Sequence, residues 1–321
     1  MIKKIGIITG GDSAEREIAL KSCEAIEKAC NELGYSTKQI IIDGNVQAII
    51  PELVEVDFVF IAMHGGKGEN GVIQGLLESL NIQYNGSGVL ASSLGMEKAL
   101  TKQLARSHGI QTPDWRIFPN VLDSKKYIPS DFPIVIKPSA DGSTLGLSFV
   151  KKQSELAKAV ELADKYDGNI MIENYVEGKE LTVTIIDQKV YPIIEIIPKH
   201  KFYDYECKYG NDMSKYICPA ELPDAITDKI KNIAFNIFNI LQCKGYARAD
   251  FILDKNNISW FFPFWSIKRI VYGLLTVERI RSEYFITCNI SEQYLRVRDL
   301  IFGYLKNVPF QDNKICLFPH C

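Results

Sequence analysis

Residues 137–144 combine residue types that can bind an anion. They read Lys-Pro-Ser-Ala-Asp-Gly-Ser-Thr and follow the apolar run at 132–136, which is typical of a buried strand. Gly142 has no side chain, so backbone N–H groups beside it can approach an anion closely. The ammonium group of Lys137 adds a positive charge suited to phosphate. These features predict a loop over the phosphates of a nucleotide, with a polar turn between two strands as the alternative.

Strands and helices alternate along the chain around this loop. The predicted strands cover residues 4–9, 36–42, 58–63, 115–118, 133–137, 145–150, 170–173, 181–186, 190–197 and 246–253. The predicted helices cover residues 14–33, 96–108, 154–166 and 225–241. Ser13 is the predicted N-cap of the first helix. This alternation indicates an α/β protein whose functional loops follow the carboxyl ends of parallel strands.

Composition and charge exclude several classes of protein. The formal net charge of −2 gives no reason to expect nucleic acid or an anionic membrane as partner. The N-terminal apolar run ends at Gly10, too early for a signal peptide, and no stretch is long and uncharged enough to span a bilayer. The eight cysteines form no Cys-x-x-Cys pair, which argues against structural zinc. Reduced thiols in the cytoplasm are therefore expected.

Six segments of the chain match one family in order and spacing. They are residues 10–17, 64–78, 85–102, 137–144, 173–180, and 203–209 taken with 247–250. In this arrangement the chain resembles the D-alanine–D-alanine ligases, which are ATP-grasp enzymes, over about residues 1–254. The resemblance implies an α/β ATP-grasp fold with an N-terminal Rossmann-like (preATP-grasp) parallel-sheet domain.

The resemblance also implies how the chain divides. Residues 1–97 would form the N-terminal substrate (preATP-grasp) domain, and residues 98–178 the central ATP-grasp subdomain. Residues 179–321 would form the C-terminal ATP-grasp subdomain, with an atypical tail from about residue 255.

The reaction implied by the resemblance joins two D-alanines into D-alanyl-D-alanine for peptidoglycan precursors. ATP would phosphorylate the carboxylate of one D-alanine, and the amine of the second would attack the acylphosphate. ATP and Mg²⁺ or Mn²⁺ are the implied cofactors, and a homodimer in the cytoplasm is the implied assembly. Two alternatives remain open: another ATP-dependent carboxylate–amine ligase, and a catalytically impaired ATP-binding protein of the same fold.

The resemblance assigns catalytic and substrate roles to individual positions. Glu15 and His64 would hold the first D-alanine. A carboxylate favoured by the helix dipole is the alternative for Glu15, and a structural histidine is the alternative for His64. Ser143 would tie the phosphate-covering lid to the substrate, Arg248 would stabilise the transferring phosphoryl group, and Asp250 would bind the metal.

Five further positions are assigned to the nucleotide. Lys98 and Lys137 would contact the phosphates. Glu173 and the backbone of Val176 would meet the adenine, and Glu180 would bind the ribose hydroxyls. A nucleotide gripped at such a connection between domains is held from both sides.

Lys208 and Tyr209 would lie in a loop that closes over the γ-phosphate and the substrates. In the family, tyrosine at this position accompanies dipeptide formation, whereas phenylalanine accompanies D-alanine–D-lactate formation. A phenol can donate a hydrogen bond into the substrate network and phenylalanine cannot. Tyr209 therefore predicts an amine as the attacking group.

The tail departs from the family pattern. The family expects a strand ending in Glu-x-Asn, followed by Thr-x-Pro-Gly-Met-Thr. Counting from Asp250 without a gap puts Pro263 and Trp265 at the glutamate and asparagine positions. Two of the three expected metal ligands would be missing, which predicts a lower rate of catalysis.

Overall fold

The computed structural model describes residues 3–140, 145–166, 169–186, 188–198 and 214–263. The first four strands are β1 (Lys4–Gly10), β2 (Ser36–Ile42), β3 (Phe58–Ile61) and β4 (Gln83–Tyr84). They form one parallel sheet in the order β2-β1-β3-β4. The accompanying helices are α1 (Arg16–Glu32), α2 (Ile50–Leu53) and α3 (Val72–Ser79). The predicted parallel sheet at the N-terminus is confirmed.

Helices cover both faces of this parallel sheet. Ile7 packs with Cys23 and Ile26 of α1 on one face. Its neighbour Ile8 points to the opposite face and packs in a cluster with Leu77 of α3. Burial on both faces explains why these strands are apolar along their length. The carboxyl ends of β1 and β3 therefore meet at one edge of the sheet, where the chain becomes polar and rich in glycine.

The start of α1 differs from the prediction. The N-cap is Glu15 and not Ser13. The Ser13 hydroxyl accepts a hydrogen bond from the backbone N–H of Glu15 (3.2 Å) and donates one to the carbonyl oxygen of His64 (2.6 Å). Ser13 thus holds a turn before the helix and ties that turn to the loop after β3.

The predicted helix at 96–108 is the second of two helices. The structure places α4 at Val89–Met96 and α5 at Lys98–Ser107. Glu97 separates them because its backbone is extended, with φ −85° and ψ 91°. The break redirects α5, whose Ala105 is fully buried against the third sheet described below.

A second sheet is antiparallel. Its strands are β5 (Trp115–Phe118), β6 (Ile134–Pro138), β7 (Ser148–Val150) and β8 (Ile170–Asn174), in the order β5-β8-β6-β7. Its helices are α6 (Val121–Lys126) and α7 (Gln153–Ala163). Leu156 and Val160 of α7 pack against Ile134 and Ile136 of β6, which gives this sheet an apolar cluster of its own.

The third sheet carries the remaining described strands. They are β9 (Gly178–Ile186), β10 (Lys189–Val190), β11 (Ile194–Pro198), β12 (Ser214–Ile217), β13 (Tyr246–Asp254) and β14 (Ser259–Phe262). The order is β12-β11-β9-β13-β14, with β10 paired to β9 and all pairs antiparallel. Helix α8 (Asp224–Ile240) packs Ile237 against Val183 and Phe251.

The chain enters the second sheet and leaves it at two neighbouring places. Residues 108–114 lead from α5 into β5, and residues 175–177 lead from β8 into β9. Strands β5 and β8 are partners, with Trp115 opposite Glu173. The predicted domain boundaries at 97/98 and 178/179 remain predictions.

Candidate active site

Glu173 lies between two lysines in the protein interior. Its carboxylate, at the end of β8, accepts hydrogen bonds from the ammonium of Lys102 on α5 (2.6 Å) and from that of Lys137 on β6. The side chains of the three residues are between 0% and 5% exposed. The three charges sum to +1. Two ammonium groups around one carboxylate are suited to an anionic ligand, because charge-assisted hydrogen bonds to an anion are strong.

The pKa values of this lysine cluster (Lys102, Glu173 and Lys137) follow from its charges. Burial would raise the pKa of Glu173, but the attraction of the two lysines outweighs burial and lowers the pKa to about 2. Burial lowers the pKa of Lys102 to about 8, although Glu173 opposes this shift. Charge dominates the pKa of Glu173 because this carboxylate faces two cations. Burial dominates the pKa of Lys102 because its ammonium shares one anion with Lys137. A bound anion would raise the pKa of Lys102 again.

Aromatic rings cover the lysine cluster. The ammonium of Lys102 lies 4.9 Å from the ring centre of Trp115 and 6.0 Å from that of Phe262. The ammonium of Lys137 lies 5.9 Å from the same Phe262 ring. Such contacts attract a cation to the ring face. Phe262 is also the partner of Asp250 across β13 and β14, so its ring joins the lysine cluster to strand β13.

Arg248 and Asp250 alternate along β13 and therefore share one face of the sheet. The Nη2 of Arg248 donates to Oδ2 of Asp250 (2.6 Å), and the hydroxyl of Thr182 on β9 donates to Oδ1 (2.7 Å). The buried Nε–H of Arg248 has no acceptor among the described residues. A buried N–H of this kind is suited to an anionic oxygen, since leaving it without an acceptor is costly.

Asp250, the predicted metal ligand, offers a single carboxylate. Within the described ranges, no group of three or more His, Cys, Asp or Glu side chains could hold a metal ion. A hard divalent cation prefers several oxygen ligands. The described residues therefore do not complete a metal site by themselves. Pro263 is buried at the expected glutamate position, and Trp265 lies outside the described residues.

Glu15 and the loop after His64 meet at the carboxyl edge of the parallel sheet. Glu15 is 5% exposed, and a Cβ atom at Gly65 would lie 3.1 Å from its Oε2. Gly65 has φ +65°, a conformation that glycine adopts readily. The Nε2 of His64, itself buried, lies 2.9 Å from the Ser22 hydroxyl. The structure thus brings together the two residues predicted for the first D-alanine, with a carboxylate suited to an ammonium group.

Lys98 lies beside the loop that follows β6. Its ammonium and its backbone N–H both donate to the carbonyl oxygen of Ser139, each at 3.2 Å. The hydroxyl of Ser139 donates in turn to Oε2 of Glu97 (3.0 Å). The start of α5 is therefore fixed to the start of the predicted phosphate loop. Ser143 of that loop lies outside the described residues.

The remaining predicted nucleotide residues lie around the connection from β8 to β9. Val176 belongs to the connection and Glu180 to β9, and both are half-buried. They follow Glu173 closely along the chain, so the three predicted adenine and ribose contacts lie in one region. Lys208 and Tyr209 lie outside the described residues.

Lys102 is a site residue that the sequence analysis did not single out. It is fully buried, in contact with both Glu173 and the ring of Trp115. Lys98 and Lys102 are four residues apart on a predicted helix and so share one face. Lysines on a helical face are usually exposed, so this spacing did not indicate that Lys102 is buried.

Family models and relatives agree on what the chain resembles. The model described as "D-ala D-ala ligase N-terminus" matches residues 46–87, and "D-ala D-ala ligase C-terminus" matches residues 104–262. The D-alanine–D-alanine ligase of Syntrophotalea carbinolica is 40% identical over 251 residues, which cover 78% of this chain and 82% of the relative. That of Aquifex aeolicus is 39% identical over 259 residues, covering 80% and 88%.

Solved structures give the same result. The D-alanine–D-alanine ligase of Bacillus anthracis, solved in complex with ATP, superposes with a TM-score of 0.71 at 27% identity, covering 92% of this chain and 99% of that one. The D-Ala:D-Ser ligase of Enterococcus faecalis superposes with a TM-score of 0.68 at 25% identity, covering 82% and 89%. The predicted ATP-grasp fold is therefore confirmed. With its parallel N-terminal sheet, its two antiparallel sheets and these relatives, the chain belongs to the D-alanine–D-alanine ligase family.

Proposed function

We propose that this chain uses ATP to ligate two D-alanines into D-alanyl-D-alanine for peptidoglycan precursors. The observation that carries the proposal is the position of Phe262, which joins the lysine cluster to the strand of Arg248 and Asp250. One side of this ring offers the two ammonium groups of the lysine cluster to a polyphosphate. The other offers the Nε–H of Arg248, which has no acceptor among the described residues. A phosphoryl group held between the two sides would be stabilised as its charge develops.

The first step of the proposed reaction is phosphoryl transfer. Lys98 and Lys137 hold the phosphates of ATP, and Glu15 holds the ammonium group of the first D-alanine. A carboxylate oxygen of this D-alanine attacks the γ-phosphorus, and the bond from that phosphorus to the bridging oxygen breaks. ADP leaves with the electron pair. Arg248 stabilises the charge on the transferring group, so catalysis rests on alignment and charge neutralisation.

The second step forms the peptide bond. The neutral amine of the second D-alanine attacks the acyl carbon of the acylphosphate. The bond from this carbon to the phosphate oxygen breaks, inorganic phosphate leaves, and the amine loses its extra proton to solvent. The products are D-alanyl-D-alanine, ADP and phosphate.

The identity of the divalent cation, the oligomeric state and the location of the protein remain predictions. A divalent cation, Mg²⁺ or Mn²⁺, is expected with ATP, and Asp250 is its expected protein ligand. A homodimer located in the cytoplasm is expected from the resemblance, and light scattering measures the assembly directly. No helix in the described part of the chain has the length and apolar character needed to cross a membrane.

The proposal is tested by incubating the purified chain with ATP, Mg²⁺ and D-alanine. Phosphate release and D-alanyl-D-alanine, measured by chromatography, are expected to rise together, and L-alanine serves as the control. ATP binding by calorimetry without D-alanine-dependent phosphate release would favour the inactive ATP-binding alternative, which the ligase relatives do not support. A product formed only with another acceptor would favour a different carboxylate–amine ligase.

The substitution Lys137→Ala is expected to weaken ATP binding. It removes a charge-assisted contact worth about 1.5–3 kcal/mol, which corresponds to a dissociation constant roughly 10- to 150-fold higher. Calorimetry measures the change. The control is Lys125→Ala, because Lys125 is a partly exposed lysine that pairs with Glu161 at the surface. Equal ATP affinity in Lys137→Ala and the unaltered chain would contradict a nucleotide role for this lysine.

The substitution Tyr209→Phe is expected to shift the choice of acceptor. Loss of the phenol hydroxyl removes a hydrogen-bond donor from the predicted substrate-covering loop. Dipeptide formation should therefore fall relative to the D-alanine–D-lactate ester. Both products are quantified by chromatography with D-alanine and D-lactate present together. An unchanged product ratio would count against this role for Tyr209.

A further inference from the structure

Asn85 links two strands that belong to different sheets. It follows β4 directly and is 1% exposed. Its side-chain oxygen accepts a hydrogen bond from the backbone N–H of Ile61 (2.7 Å), and its amide nitrogen donates one to the hydroxyl of Tyr246 (2.6 Å). Because a backbone N–H can only donate, the oxygen must face Ile61 and the nitrogen must face Tyr246. Both bonds are buried.

The two ends of this bridge lead to opposite sides of the candidate active site. Ile61 is the last residue of β3, three residues before His64. Tyr246 is the first residue of β13, and Arg248 and Asp250 follow it on the same face of the strand. The bridge therefore connects the strand that supports the predicted D-alanine loop with the strand that carries the predicted phosphate-side residues.

A second contact strengthens the link between the same two regions. The backbone N–H of Lys244 donates to the Ser87 hydroxyl (3.1 Å), and this hydroxyl donates to the carbonyl oxygen of Lys244 (3.3 Å). Asn85 and Ser87 lie two residues apart in one loop, and they contact Tyr246, the first residue of β13, and Lys244, which precedes the strand by two residues. The loop thus holds the entry into β13 at two points.

We infer that Asn85 and Tyr246 are positioning residues that couple D-alanine binding at the Glu15–His64 loop to nucleotide binding at Arg248 and Asp250. The inference rests on the proposed function. Neither residue is assigned to bind a ligand; each acts by fixing one strand relative to the other. When a ligand orders one strand, the bridge orders the second strand as well, and the other ligand then binds with a smaller loss of entropy.

The test compares Tyr246→Phe with the matched control Tyr84→Phe. Tyr246→Phe removes only the bridging hydroxyl and keeps the ring within its apolar cluster. Tyr84 directly precedes Asn85, and its hydroxyl donates to Glu78 at the surface. Tyr84→Phe therefore removes a tyrosine hydroxyl from the same region without touching the bridge. For each protein, the dissociation constant of D-alanine is measured by calorimetry with and without the magnesium complex of a non-hydrolysable ATP analogue. This comparison does not require turnover.

In the unaltered chain and in Tyr84→Phe, the analogue is expected to tighten D-alanine binding by about fivefold or more, the lower end of typical coupling between sites. In Tyr246→Phe the factor is expected to fall below about twofold, while affinity for the analogue alone stays the same. In the assay of turnover, the KM for D-alanine at saturating ATP and the KM for ATP at saturating D-alanine should both rise in Tyr246→Phe, because the lost coupling acts on both ligands. A purely structural role would change thermal stability without this paired change in KM.

A second, conservative variant tests the bridge in case Tyr246→Phe fails to fold. Asn85→Asp keeps an acceptor for Ile61 and offers a second acceptor to the Tyr246 hydroxyl, which can donate as well as accept. It should retain the coupling factor, whereas the double variant with Tyr246→Phe should lose it. An equal coupling factor in Tyr246→Phe and the unaltered chain would overturn the inference and leave the proposed function standing. An unaltered chain that binds neither ligand would overturn the proposed function and the inference with it.

Discussion

Replacing Glu173 with glutamine is expected to lower the free energy of unfolding by about 3–5 kcal/mol at pH 7, the usual consequence of removing one partner of a buried ion pair. The substitution leaves two ammonium groups, those of Lys102 and Lys137, buried without their shared counter-charge. Urea unfolding measures the change. Glu161→Gln is the control, because Glu161 is exposed and pairs with Lys125 at the surface, where such pairs contribute about 0–1 kcal/mol.

The effect of Glu173→Gln should depend on pH in a defined direction. The pKa of Glu173 is lowered from 4.5 to about 2 in the folded state. The unfolded chain therefore binds more protons between these values, and the stability that Glu173 contributes is complete above pH 4.5 and is lost as pH falls toward 2. The difference between Glu173→Gln and the unaltered protein should shrink over this acid range. A difference that stays constant from pH 7 to pH 2 would contradict the charge explanation.

Replacing the tail after Asp254 with the corresponding segment of the Aquifex aeolicus ligase is expected to raise turnover by about 10²–10³-fold, the effect of one oxyanion-stabilising donor. The family pattern places metal ligands at positions 263 and 265 and a Pro-Gly-Met-Thr loop beyond them. The exchanged segment would begin in the turn after β13 and would replace β14, the strand that pairs with Asp250, by its counterpart from the relative. D-alanine-dependent phosphate release measures the result.

Two controls separate the parts of this tail effect. The double substitution Pro263→Glu with Trp265→Asn should return metal-binding oxygens without the oxyanion loop, and so should raise turnover less than the exchanged tail does. The reciprocal exchange, in which the Aquifex ligase receives this tail, should lower the turnover of that enzyme. If the unaltered chain already turns over at about 1–100 s⁻¹, the rate of typical phosphoryl-transfer enzymes, the assignment of positions 263 and 265 is wrong.

Local patterns were sufficient to predict many elements of the fold. Strand β5 covers residues 115–118 as predicted, and Lys137 lies in the strand that the apolar run at 132–136 indicated. Apolar periodicity reports which face of a short segment is buried, and this information is contained within the segment itself. The buried surroundings of Lys137 could therefore be expected from its neighbours alone.

Contacts between distant segments could not be predicted in this way. Glu173 is 71 residues from Lys102 and 36 residues from Lys137, and Asn85 is 161 residues from Tyr246. The order of strands brings these residues together, and periodicity within one segment does not contain that order. Ser13 illustrates the same limit, because its hydroxyl donates to the carbonyl oxygen of His64 across 51 residues, and no local pattern contains that contact.

Residues 115–174 begin and end on paired strands, with Trp115 opposite Glu173 and the strands about 5 Å apart. The apolar cluster of this segment is its own. Segments with neighbouring ends tolerate excision, exchange and circular permutation. Lys137 and Glu173 lie within this segment, whereas Lys102 lies outside it. Two separately expressed polypeptides, divided at the ends of the segment, would therefore each carry part of the lysine cluster, and fragment complementation would report directly on whether the cluster can form.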